Sequence, residues 1–138
     1  MMAEKIDLKT TSTAALAYLG DSVLEVCVRR HLVHKGLATS AHLNSEALKY
    51  VRASAQSEAV KRIIPMLNEE EAAVFRRGRN VGHTSTPKSA SVSEYRMATG
   101  MEALFGWLYL SGAHERIDEL FREAYNTDRM MKNIDKEI

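Results

Sequence analysis

One cysteine, Cys27, among 138 residues leaves no partner for an internal disulfide. Only two prolines, Pro65 and Pro87, interrupt the chain, so helices can run long between them. No apolar run reaches the ~18 residues that a membrane-spanning helix needs, and the charged opening MMAEKIDLKT holds no apolar segment of the secretory kind. These absences argue against a membrane protein and favour a cytoplasmic one. No segment alternates apolar and polar residues as a strand does, and no internal repeat or low-complexity tract is present. Phosphate-binding loops of the GxxxxGK[ST] and GxGxxG types, a GxSxG nucleophile frame, HExxH and CxxC are all missing. A nucleotide-cradling loop, a serine-hydrolase elbow and a zinc site therefore find no support. A formal net charge of +1 argues neither for nor against a nucleic-acid partner.

What remains is helical periodicity. The spacing predicts about six helices in an all-α fold, with a single core over about residues 10–125 and peripheral ends at 1–9 and 128–138. The first runs from Ala14 to His34, with Thr11, Ser12 or Thr13 as its cap and Gly36 beyond its end. Leu16, Leu19, Val23, Val26, Cys27 and Arg30 share its apolar stripe. His31 and His34 suit imidazolium at its C-terminus. Gly20 in its interior costs about 1 kcal/mol relative to alanine, which points to a close approach by another backbone or a ligand. A second helix opens at Ser40, with Leu43, Ala47, Leu48 and Val51 inward. A break near Ala53–Ser54, capped by Ser54, starts a third that ends near Ile64, before Pro65. Asn68 with Glu71, and Ser91 with Glu94, form capping boxes for the fourth and fifth. Residues 82–90, GHTSTPKSA, read as a loop. The sixth buries Ile117, Leu120, Phe121 and Ala124.

Two carboxylates stand out because they sit in apolar helices. Asp21 lies in the first, with Glu25 one turn on. Glu102 is the only charged residue between Met97 and Ala113. An unpaired charge in apolar surroundings is costly, so the two acids are expected either to meet around a cation or to bond an arginine or a backbone group. A hard cation such as Mg²⁺ takes one or two carboxylates together with waters and a substrate phosphate. Glu25 is better read as an i,i+4 partner of Arg29. Charge is also uneven along the chain: between residues 72 and 96, Arg76, Arg77, Arg79, Lys88 and Arg96 face Glu94 alone. Basic residues beside a loop, together with an acidic pair, favour a phosphodiester substrate.

The same two acidic stretches carry a resemblance. Leu16-Ala17-Tyr18-Leu19-Gly20-Asp21-Ser22-Val23-Leu24 resembles the signature of the ribonuclease III family, Leu-Glu-Phe-Leu-Gly-Asp-Ser-Val-Leu. Glu102-Ala103-Leu104-Phe105-Gly106-Trp107-Leu108-Tyr109-Leu110 resembles its second acidic motif, which follows an Asp by three positions. Two acids of the family pattern are replaced, by Ala17 and Thr99. The sequence also stops where a double-stranded-RNA-binding domain normally begins, so the likeness is to the family's short form.

The resemblance implies a ribonuclease III catalytic domain spanning residues 1–138. It implies a cytoplasmic homodimer that hydrolyses double-stranded RNA with Mg²⁺, leaving 5′-phosphate and 3′-hydroxyl ends. The implied substrate is the stem pairing the two ends of the 23S ribosomal RNA precursor. Asp21 and Glu102 would be the catalytic and metal-binding residues. Without an accessory domain, RNA affinity must come from the nuclease domain itself, which assigns Arg76, Arg77, Arg79, His83 and Lys88 to RNA contact. The alternative is a non-catalytic RNA-binding module of the same fold, for which Ala17 and Thr99 are the best argument.

Overall fold

The computed structural model describes residues 8–81 and 91–127, so the expected loop at 82–90, with His83 and Lys88, lies outside the described residues. Among the described residues there are six α-helices and no strand. Helix α1 spans Thr13–His34, and the Ser12 hydroxyl accepts from the Ala15 amide at 3.0 Å. Helix α2, Ser40–Val51, is capped by Thr39, whose hydroxyl accepts from the His42 amide at 3.2 Å. Helix α3 covers Ala53–Ile63, and Pro65 follows in a single 3₁₀ turn, Ile64–Met66. Helices α4, Glu69–Arg79, and α5, Val92–Leu110, both start at the expected capping boxes. Helix α6, His114–Tyr125, follows Gly112, whose φ of +74° suits a residue without Cβ.

Helix α5 is the axis of the molecule, with α1, α3, α4 and α6 packed around it. Leu24, Val28 and Leu32 of α1, Val60 and Ile63 of α3, Phe75 of α4, and Leu120 and Phe121 of α6 surround Met101, Leu104, Phe105 and Leu108. Each large side chain buried there stabilises the fold by about 1.5–3 kcal/mol. Two glycine contacts set how closely the helices approach. A Cβ on Gly20 would lie 1.6 Å from the Glu102 carbonyl oxygen, and one on Gly106 would lie 2.0 Å from that of Leu16. Backbone therefore touches backbone where α1 crosses α5, as the interior glycine of α1 foretold. In the same manner, a Cβ on Gly78 of α4 would lie 2.8 Å from the Gly100 Cα of α5.

Several expectations need correction. The α2–α3 break is present, but Ser54 does not cap α3. Arg52 takes an extended conformation there, its amide donating to Leu48 O at 3.3 Å and its carbonyl accepting from Gln56 at 2.9 Å, so no hydroxyl is required. Val26 and Arg30 leave the buried stripe of α1. Val26 is 63% exposed, Arg30 turns outward to pair with Asp118, and the buried line runs through Leu24, Val28 and Leu32 instead. On α2, Tyr50 is the buried residue, while Leu48 lies on the surface. His31 is not a solvated imidazolium. It is buried edge-on to Tyr50 and Phe121, and burial, aided by Lys35 and His34, pulls its pKa below the ordinary histidine value.

Candidate active site

The crossing of α1 and α5 decides where the acids go. Gly20 rests on the carbonyl of Glu102, so the next residue on α1, Asp21, and the Glu102 side chain emerge side by side. Both line one open cavity of about 370 Å³, together with Ala14, Ala17, Tyr18, Val81, Tyr95 and Thr99. Asp21 is exposed, contrary to the expectation of a charge set inside an apolar helix, and Glu102 is half-buried. Burial, the Asp21 charge and a hydrogen bond shared with Asp21 push the Glu102 pKa up to about 8. At neutral pH this shift favours the protonated form of Glu102.

Glu25 does not join them. Its Oε1 accepts from Arg29 Nη2 at 2.6 Å, the i,i+4 pair foreseen for it. Cys27 is buried and simply packs, with burial pushing its thiol up to about 11. Among the described residues no three histidine, cysteine, aspartate or glutamate side chains converge as a metal-binding set. The acidic cavity thus has two carboxylates. Ala17 and Thr99 line it, but Ala17 has no donor atom, and the Thr99 hydroxyl is turned back to donate to Tyr95 O at 2.9 Å.

Of the basic residues, Arg76 and Arg77 are exposed on the last turns of α4, and Arg79 is half-buried with its guanidinium 5.9 Å from the Phe75 ring centre. Arg79 lines a separate cavity with Arg96. Arg96 belongs to the basic stretch of the sequence but to none of its site motifs. Its side of α5 is set by the helix crossing, which no local motif reports.

A Ribonuclease III domain profile matches residues 14–113. The chain belongs to the ribonuclease III family. Within that family it is 44% identical over 119 residues to a Mini-ribonuclease 3 of Brevibacillus brevis, covering 86% of this chain and 89% of the relative. A Mini-ribonuclease 3 of Clostridium tetani is 41% identical over 123 residues, covering 88% and 82%. A crystal structure of a Fusobacterium nucleatum protein superposes with a TM-score of 0.77 at 32% identity, covering 84% of this chain and 89% of that one. As a ribonuclease III family member close to the Mini-ribonuclease 3 proteins, the chain is an endoribonuclease. The acidic cavity lies within the matched region, since Ala14 to Glu102 fall inside residues 14–113.

Proposed function

We propose that Asp21 and Glu102 are the catalytic carboxylates of a Mg²⁺-dependent cleavage of double-stranded RNA. The observation that carries this is their convergence in one open cavity, where burial and the neighbouring Asp21 raise the proton affinity of Glu102. A pair short of one counter-charge suits a hard divalent cation that takes two carboxylate oxygens and fills its other positions with water and phosphate. When bound, such an ion supplies Lewis-acid activation of water and neutralises charge developing on the phosphorus. The protein's own part is positional. Asp21 and Glu102 are fixed by the Gly20 contact, and Glu102, raised to about 8, must give up its proton before it can serve as an anionic ligand. The exposure of Asp21 leaves one side of the cavity open to a duplex, whose recognition rests on shape, phosphates and 2′-hydroxyls. Arg76, Arg77 and Arg79 of α4 supply phosphate contacts in this reading, as do His83 and Lys88, which lie outside the described residues. Products carry 5′-phosphate and 3′-hydroxyl ends, and the stem of the 23S ribosomal RNA precursor is the proposed natural substrate.

A homodimer completes the reading. Tyr18 is 84% exposed, and Val26 also faces outward along α1. Beside them lies a cavity of about 330 Å³, whose lining includes Leu19, Val23, Val26, Tyr109 and Ile117 with the paired Arg30 and Asp118 at its edge. An exposed apolar face of this kind marks an interaction surface, and a two-fold pair would present one acidic cavity to each strand of a duplex. The deciding experiment is cleavage of a duplex RNA by the parent enzyme and by Asp21→Asn, with and without Mg²⁺. Loss of about 10³-fold or more in rate is expected for the variant, as for removal of an electrostatic group at a reacting centre, with RNA binding retained. A variant that cuts at the parent rate would remove Asp21 from the chemistry.

A further inference from the structure

Where α4 ends and α5 begins lies a cavity of about 360 Å³ lined by Arg79, Asn80, Val92, Ser93, Arg96 and Met97. Two of these six are arginines and none is acidic. The nearest carboxylate in sequence, Glu94, is turned back to its own helix start, where it accepts the Ser91 amide at 3.1 Å. Arg79 arrives pre-positioned: its guanidinium lies against Phe75, and Nε donates to Asn80 Oδ1 at 3.4 Å. Arg96, exposed on the second turn of α5, takes no ion pair or hydrogen bond among the described residues. Two guanidinium groups brought to one cavity with no anion between them repel each other, and their planar forks match phosphate oxygens. The positive end of α5 adds to the same field. Glu102 stands six residues after Arg96 on that unbroken helix, roughly 9 Å along its axis at ~1.5 Å per residue. Arg96 and Glu102 therefore share one rigid rod.

We propose that Arg79 and Arg96 form a subsite for a single RNA backbone phosphate away from the scissile bond, which fixes the strand's register against Asp21 and Glu102. The subsite rests on the duplex-RNA reading above and adds Arg96, which that reading leaves out. Binding is best measured in the Asp21→Asn protein, so that the duplex stays intact. Adding Arg96→Gln should weaken affinity by about tenfold at low salt, the cost of losing a charged hydrogen bond. It should also reduce the slope of log affinity against log salt by about one unit. Arg96→Lys should fall between the two. In the active enzyme, Arg96→Gln should spread cuts to neighbouring bonds, with an unchanged melting temperature because the side chain is exposed. Unaltered affinity and slope would overturn the subsite. An equal loss from Arg52→Gln, an exposed arginine between α2 and α3, would overturn it too, because the effect would then be one of general charge. If the parent enzyme cleaves duplex RNA while Arg96→Gln binds and cuts like its parent, only the subsite falls. Should the Asp21→Asn protein bind no duplex at all, the substrate reading fails and the subsite with it.

Discussion

A methyl group on Gly20 would sit 1.6 Å from the Glu102 carbonyl oxygen, and the obstacle is helix backbone that cannot rotate away. Gly20→Ala must push α1 off α5. Overpacking of a well-filled interior costs about 1–3 kcal/mol and sometimes more, and a backbone obstacle puts this variant at the upper end, at about 3 kcal/mol or beyond. Urea unfolding should report that loss, and cleavage should drop with it because Asp21 shifts relative to Glu102. A loss under about 1 kcal/mol on the same scale would mean that the two backbones are not in contact. This feature was legible in the sequence, since a glycine inside an otherwise apolar helix is costly and wants a reason. The exposure of Asp21 was not. Helical periodicity gives angular position on α1, but which sector α5 leaves open depends on a crossing between residues eighty positions apart.

Between elements, the strongest polar tie joins α4 to α6. Glu71, only 2% exposed, accepts from Arg116 Nε and Nη2, both at 2.8 Å, and from the Asn68 amide at 3.0 Å. Arg116 also donates to Met66 O at 2.8 Å, so it fastens the 3₁₀ turn as well. The Arg116 hydrogen bonds, more than the Asn68 amide, hold Glu71 below the ordinary carboxylate range despite its burial. Arg116→Met would strand a buried carboxylate, at a cost of about 3–5 kcal/mol. Because the folded pKa of Glu71 lies below its unfolded value near 4.5, the pair's stabilisation is present above that pH and is lost as pH falls through the folded value. Urea unfolding followed from pH 7 down to pH 3 should show a steeper acid loss in the parent than in Arg116→Met; parallel curves would deny the pair its role. Local rules found both capping boxes, because Asn68 with Glu71 and Ser91 with Glu94 are complete within four residues. They could not find Arg116, forty-five positions from its partner, nor that Arg52 would turn the chain where Ser54 offered a hydroxyl. Burial of His31 between Tyr50 and Phe121 was hidden for the same reason: the two rings it contacts come from two other helices, α2 and α6.

Across the whole molecule, the apolar face of α1 is the feature that a single chain leaves unexplained. If it is the dimer seat, the parent protein should sediment at twice the chain mass and Val26→Asp at the chain mass, since a carboxylate at a dry interface has no partner. A parent that sediments as a single chain at working concentrations would leave the face to another partner. The position of the acidic pair has a different consequence. Glu102 sits midway along α5, the helix that every neighbour except α2 leans on. Segments with the most buried neighbours open only when the entire domain opens. Warming should therefore not produce a folded form whose acidic pair has come apart early; Asp21, Glu102 and the domain as a whole share one breaking point.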